Sequence, residues 1–262
     1  KRGGFNLKTI TIKNTVIGEG IPKLIVPLTG RNDGAIIKEI QWLRPMRPDI
    51  VEWRADYFED VEDLEALQSV LDKIRRALDD KILLFTFRSK LEGGQKEVSA
   101  DVYQNLIETV IKTKKPDMVD IELMSGESMV RSLVTCAQAH GVKVVMSNHD
   151  FHKTPPKPEI IDRLSKMQAF GADVPKIAVM ANSMADVLTL WDAANTMKEK
   201  LADRPFIALA MGDFGIITRL AGGLFGSAAT FGAGLNASAP GQLPVSEVRT
   251  VLEILHKYEA SK

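Results

Sequence analysis

From Pro22 to Ala233 the chain alternates between short apolar runs and longer amphipathic stretches, and few architectures accept that pattern. The runs PKLIVPLTG, DIVEWRAD, KILLFTFRS, PDMVDIEL, VKVVMSNHD, ADVPKIAVM and RPFIALAM read as strands. Each is short, rich in β-branched or aromatic residues, and bounded by Pro, Gly, Asp or Asn. Between them, DVEDLEALQSVLDKIRRALDD, SADVYQNLIETVIKTKK and PEIIDRLSKMQAFGA place apolar residues at three and four spacing, with Ser or Asp near several starts, as capped amphipathic helices do. An eighth strand falls in GSAATFGA, and PVSEVRTVLEILHKYEA closes the chain as a helix with Pro at its first turn. Eight βα units without a low-complexity linker predict an α/β chain, a (β/α)8 TIM barrel forming one domain over residues 1–262. A doubly wound open sheet is the alternative. Upstream, LKTITIKNTVIGEG alternates in the two-residue period and turns at Lys13-Asn14, which predicts an N-terminal β-hairpin covering the bottom of the barrel. The glycine-rich KRGGFN, residues 1–6, reads as a tag remnant or disordered tail.

Composition narrows the function. Lys+Arg and Asp+Glu each number 34, so no global attraction to nucleic acid or to a membrane surface is expected. The single cysteine, Cys136, excludes an internal disulfide and a cysteine-built zinc site; the helical spacing of SLVTCAQAHG makes it a core residue, and a reducing, cytoplasmic compartment is expected. No apolar run reaches membrane-spanning length, and nothing at the start resembles a signal peptide.

A parallel barrel buries both faces of its strands except at the mouth, so the parity of strand polar residues is informative. Glu52 and Arg54 share a face with Ile50, while Val51 and Trp53 take the other. Thr86 and Arg88 share a face, as do Asp120 and Glu122, and Ser147 and His149; in the sixth barrel strand the polar residue is Lys176. Taken alone, Lys176 reads as a lysine snorkelling from a strand end. In company with four neighbouring strands it reads as part of a polar interior at the mouth, which is a site. A buried ammonium loses its proton more readily, and a neutral amine attacks carbonyls to form a Schiff base. His149 on the adjacent strand supplies a base. Arg54, Arg88 and Arg219 offer forked donors for an anionic, oxygen-rich small molecule. Asp120 and Glu122 suit a divalent cation less well than they suit these cations as partners. The stretch NASAPGQLP lies in the last βα loop, where Ser238 and Gln242 form the polar tips of a mobile cover or of a plain connector. The glycines of RLAGGLFGSAATFGAG lack the lysine context of a phosphate-binding loop.

The blocks VEWRAD, LLFTFRSKLEGG, MSNHDFHKTP, PKIAVM, RLAGGLFGSAATFGA and ASAPGQ resemble, in order, those of type I 3-dehydroquinate dehydratase, the Schiff-base enzyme of the shikimate pathway. The resemblance implies a (β/α)8 barrel, commonly a cytoplasmic homodimer, that dehydrates 3-dehydroquinate to 3-dehydroshikimate with no metal or organic cofactor. By motif, it makes Lys176 the Schiff-base lysine, His149 the general acid/base and Glu92 the carboxylate that orients the histidine. Glu52, Arg54 and Arg88 match residues around the substrate hydroxyls; Arg219, Ser238 and Gln242 match the carboxylate clamp and its lid. One departure is Pro27, where some members carry a serine whose hydroxyl can reach substrate. A class I aldolase on the same barrel, or a barrel that binds its ligand without turnover, are the competing readings.

Overall fold

The computed structural model describes residues 8–259, so the expectation for residues 1–6 lies outside the described residues. The strands are β1 (Ile10–Ile12), β2 (Thr15–Ile17), β3 (Lys23–Leu28), β4 (Ile50–Arg54), β5 (Ile82–Thr86), β6 (Met118–Glu122), β7 (Lys143–Asp150), β8 (Val174–Met180), β9 (Ile207–Met211) and β10 (Ala229–Phe231). The helices are α1 (Asp33–Leu43), α2 (Leu64–Leu78), α3 (Ala100–Thr113), α4 (Glu127–His140), α5 (Lys157–Ala169), α6 (Met184–Thr196), α7 (Ile216–Ala221) and α8 (Val245–Glu259). Strands β3 to β10 form one parallel sheet in the order β10-β3-β4-β5-β6-β7-β8-β9. Its edges meet through a bridge between Phe206 and Ser227, and Ser227 Oγ accepts the amide of Ala208 at 3.1 Å. A nearly closed parallel sheet with a helix after each strand is the (β/α)8 barrel; the open-sheet alternative fails on this closure.

Local chemistry explains the elements. Asp63 caps α2, its Oδ1 accepting the amides of Glu65 and Ala66 at 2.9 and 3.1 Å, and Asn32 and Ser99 cap α1 and α3 in the same way. The buried stripe of α2, Leu67, Val70, Leu71, Ile74 and Leu78, follows the helical period and packs on the outward residues of the strands. Each such fully buried aliphatic side chain contributes about 1.5–3 kcal/mol relative to exposure. Inside, Ile25, Ile50, Ile82, Met118, Val145, Val174 and Ile207 form a second apolar cluster. The hairpin joins that cluster from below through Ile12 and Ile17. Its turn residue Lys13 bonds Lys81 O at 2.9 Å and Asp117 Oδ2 at 3.0 Å, at the amino ends of β5 and β6, so the hairpin covers the barrel bottom.

Pro27 falls in β3 opposite Glu52, beyond Ile25, the last β3 residue that β10 pairs. A residue without an N–H is tolerated where the ladder has ended. Cys136 is half-buried, packed against the core from α4 rather than sealed within it. No helix among the described residues is long and apolar enough to cross a membrane.

Candidate active site

Above the apolar floor the barrel interior turns polar. The inward residues of β4 to β8, Glu52, Arg54, Thr86, Asp120, Glu122, Ser147 and Lys176, together with Arg88 just past β5, are all at most 7% exposed. Arg88 organises them. Its Nη1 donates to Glu122 Oε1 at 2.8 Å and to Ser147 Oγ at 2.9 Å. Its Nη2 lies 2.9 Å from Asp120 Oδ2, an ion pair, and Ser147 Oγ donates to Asp120 Oδ1 at 2.7 Å. Burial alone would push the Asp120 carboxyl up; Arg88, then Lys176, outweigh it and hold that carboxyl below its usual range. Thr86 donates to Glu52 Oε1 at 2.9 Å. The two carboxylates read as partners for cations are therefore on Arg88, as the residue types suggested.

Arg54 is spoken for in the same manner. Its Nε and Nη2 both donate to Asp56 at 2.8 Å, and Asp56, fully buried, also accepts the amides of Arg88 and Gln95 at 3.4 and 3.1 Å. The sequence reading omitted Asp56, although EWRAD places it two residues from Arg54 in the same block. Arg219 differs. It is 1% exposed, donates through Nη2 to Pro240 O at 3.0 Å, and has an Nε with no hydrogen-bond partner. Burial draws its pKa down to about 10, so the group is still a cation at neutral pH. Thr218, which accepts the Ala210 amide at 2.8 Å, ties α7 to the end of β9 and so aims Arg219 back over the mouth.

The loop after β5 brings Glu92 to the site. Gly93 sits at φ +85, and a Cβ there would lie 2.3 Å from Phe151 Cζ; at Gly94 a Cβ would lie 1.8 Å from Arg88 O. Only glycine lets the chain turn this tightly, which places the turn Lys90–Glu92 over β7. Glu92 Oε2 then lies 2.8 Å from His149 Nδ1, within hydrogen-bond distance, and accepts the His149 amide at 3.1 Å. Burial raises the Glu92 carboxyl to about 8, with Glu122 adding to the rise and Arg88 and Asn148 opposing it. His149 moves the other way: burial, then Arg88, Lys176 and Arg54, holds its pKa well below the ordinary imidazole value. When Glu92 is ionised, the uncharged imidazole sets Nδ1–H on that carboxylate and leaves a lone pair on Nε2.

Lys176 stands 4% exposed with its Nζ 4.0 Å from Asp120 Oδ2 and 4.5 Å above the ring centroid of Phe231. Desolvation lowers its pKa, opposed by Glu52 and Asp120 and aided by Arg88 and Arg54. Phe231 lies on β10, a strand remote in sequence, so sequence reading gave no sign of this cation–π contact. One cavity is lined by Glu52, Arg54, Arg88, Glu92, His149 and Lys176 together with Arg219, Phe231, Ser238 and Gln242. All the residues that the resemblance marks as catalytic or substrate-binding are in that lining, whereas Thr86, Asp120, Glu122 and Ser147 lie behind it. Pro27 is not in the lining either.

Fold and site together define an enzyme of the (β/α)8 class, with its ionisable groups at the carboxyl ends of the strands. Residues 24–259 match the family model described as Type I 3-dehydroquinase. The 3-dehydroquinate dehydratases of Bacillus velezensis and Bacillus subtilis are each 53% identical to this chain, over 96% of it and 100% and 98% of their own lengths. The crystal structure of type I 3-dehydroquinate dehydratase from Clostridium difficile with covalent modified comenic acid superposes with a TM-score of 0.93 at 47% identity, covering 96% of this chain and 99% of that one. The Geobacillus kaustophilus 3-dehydroquinate dehydratase gives 0.94 at 38% identity, over 97% and 99%. The chain belongs to the type I 3-dehydroquinase family, lyases that dehydrate 3-dehydroquinate.

Proposed function

We propose that this chain converts 3-dehydroquinate to 3-dehydroshikimate, the third step of the shikimate pathway, through an imine on Lys176. The observation that carries the reading is the confinement of a desolvated lysine amine and a carboxylate-bound imidazole in one cavity. The covalent modified comenic acid in the Clostridium difficile relative supports a site suited to covalent chemistry.

In the proposed sequence the neutral Lys176 amine attacks the ring ketone, giving a carbinolamine that loses water to form an iminium ion. His149 Nε2 assists these proton transfers and then removes a proton from the carbon next to the iminium. The electron pair released forms an enamine. The enamine expels the β-hydroxyl, which leaves as water with the proton that His149 had taken. Hydrolysis of the conjugated imine frees the product and the amine. Glu92 orients His149, Glu52 with Arg54 and Arg88 faces the substrate hydroxyls, and Arg219 holds the substrate carboxylate. A pocket lined by these three guanidiniums and the His149–Glu92 pair favours elimination from a carboxylated polyol over aldol cleavage. Incubating the chain with 3-dehydroquinate tests the scheme: borohydride should fix a mass adduct on Lys176 while a conjugated enone chromophore grows. An adduct on another lysine would sink the assignment.

The lid belongs to the same proposal. Ser238 N and Oγ lie 2.8 and 3.4 Å from Gln242 Oε1, and Gln242 Nε2 donates to Ser238 Oγ at 3.1 Å, so the two polar tips hold each other beside Arg219. With the substrate carboxylate on Arg219 they gain a charged partner. Gln242→Ala should therefore raise KM about five- to thirtyfold, the equivalent of a hydrogen bond to a charged group worth about 1–2 kcal/mol, while borohydride still labels Lys176. An unchanged KM would remove the loop from substrate binding.

No metal or organic cofactor takes part in this scheme, and both carboxylates a cation would need are paired to Arg88. EDTA should leave the rate unchanged; loss restored by a divalent ion would revive the metal reading. A homodimer, a cytoplasmic setting and a one-domain chain are part of the proposal, and sedimentation is the measurement for the first.

A further inference from the structure

One oxygen of Glu92 holds His149; the other is held from outside the barrel. Glu92 Oε1 accepts a 3.0 Å bond from Asn148 Nδ2, and Asn148 Oδ1 accepts a 2.7 Å bond from Arg163 Nη1. Asn148 lies on β7 between Ser147 and His149, with the outward parity of Val144 and Met146. Arg163 lies on α5, and its Nη2 pairs with Glu159 one turn earlier. A guanidinium carries donors only. The atom that Asn148 turns toward Arg163 must therefore be its oxygen, which leaves the amide NH2 facing Glu92. The opposite rotamer would set donor against donor at Arg163 and acceptor against acceptor at Glu92, unless the carboxyl were protonated.

The geometry points to Arg163 as a positioning residue: through Asn148 it selects the ionised Glu92, and through Glu92 the His149 tautomer with its lone pair on Nε2. This inference rests on the assignment of His149 as the acid/base. The charges facing Glu92 are Arg88 from the loop after β5, Asp120 and Glu122 from β6, and His149 from β7. Those facing His149 are Arg88, Lys176 from β8 and Arg54 from β4. All of them stay in place when Arg163 is changed. The Asn148 amide opposes the burial that raises Glu92, so an Asn148 free to turn lets the carboxyl take up its proton at higher pH.

The test uses the full chain with Arg163→Leu, Arg163→Lys and Asn148→Asp, measuring kcat and KM against pH, thermal unfolding, and borohydride labelling of Lys176. In Arg163→Leu the acid limb of kcat should move up by about one pH unit, the equivalent of a lost hydrogen bond to a charged group. At pH 7 that lowers kcat about five- to tenfold, with KM within about twofold and labelling retained. Arg163→Lys keeps a donor and should restore much of the limb position. Asn148→Asp keeps the acceptor that Arg163 needs but turns an oxygen on Glu92, so it should shift the limb the same way without disturbing α5. A purely structural role would lower Tm in Arg163→Leu and leave the limb where it was. An active wild type whose limb is unmoved in both Arg163→Leu and Asn148→Asp overturns this inference alone. A wild type that neither turns over nor labels at Lys176 overturns the parent assignment and this one with it.

Discussion

Lys176→Met should lose roughly 10⁵-fold or more in kcat, the scale seen when a nucleophile is removed from an enzyme that depends on it, and should fold at least as stably as the parent. The two halves of that expectation have one cause. Lys176 is buried inside the barrel, where desolvation holds its pKa below the ordinary value. Folding at neutral pH therefore works against the charged amine, which the unfolded chain keeps fully solvated. Methionine matches the stem in length and asks for no proton, and its thioether can rest on the Phe231 face that now lies under the ammonium. Asp120, the carboxylate 4.0 Å from the amine, keeps Arg88 as its closer partner, and Glu52, the other carboxylate facing the amine, keeps its Thr86 hydrogen bond and the nearby charge of Arg54. Kinetic assay, Tm and borohydride labelling together check the claim. A variant retaining more than about one-hundredth of the wild-type rate would show that the imine is dispensable. A large fall in Tm would show that the amine is structural.

How far such a site can be read from sequence depends on whether a contact lies within a strand or across the barrel. Parity is local: Glu52 with Arg54, Thr86 with Arg88 and Asp120 with Glu122 must share a face if the segment is a strand, and their strand-like patterns are plain. The eight strands and the hairpin were legible for the same reason. The Lys176–Phe231 contact was not, because it depends on β10 closing the sheet against β3. Nor was the pairing of Arg54 with Asp56. Composition offered Arg54 and Arg88 as donors for substrate; that each is also braced by buried carboxylates, while Arg219 keeps an unbonded Nε, depends on contacts that composition does not carry. Asn148 escaped because alternation assigned it to the helix-facing side, where a polar residue reads as a misfit. It reaches Glu92 because that residue comes down from a loop at the strand end, and no period describes a loop.

His149→Ala should lower turnover by about 10²–10⁴-fold, the range for loss of a general acid/base, and still allow slow borohydride labelling of Lys176. The amine nucleophile survives the substitution, and the proton transfers it needs pass to water. Glu92→Gln separates position from charge. The introduced amide can present its oxygen to His149 Nδ1 only by turning its NH2 toward Asn148 Nδ2, which Arg163 holds in place as a donor. Turned the other way, it satisfies Asn148 but sets its own NH2 against the His149 backbone N–H, and the imidazole can accept from it at Nδ1 only as the tautomer with its proton on Nε2. Either orientation leaves one donor facing another, so Glu92→Gln should also cost roughly 10²-fold or more, in the direction of an Asp-to-Asn change behind a catalytic histidine. The two variants part company in their pH profiles. With Glu92 drawn up to about 8 and His149 held low, wild-type kcat should rise with pH as the coupled pair loses its excess proton. A carboxamide cannot titrate, so in Glu92→Gln that acid limb should flatten or move toward lower pH, whereas the low pH-independent rate of His149→Ala should show no limb from this pair. A Glu92→Gln profile that keeps the wild-type limb would place its origin outside the Glu92–His149 pair.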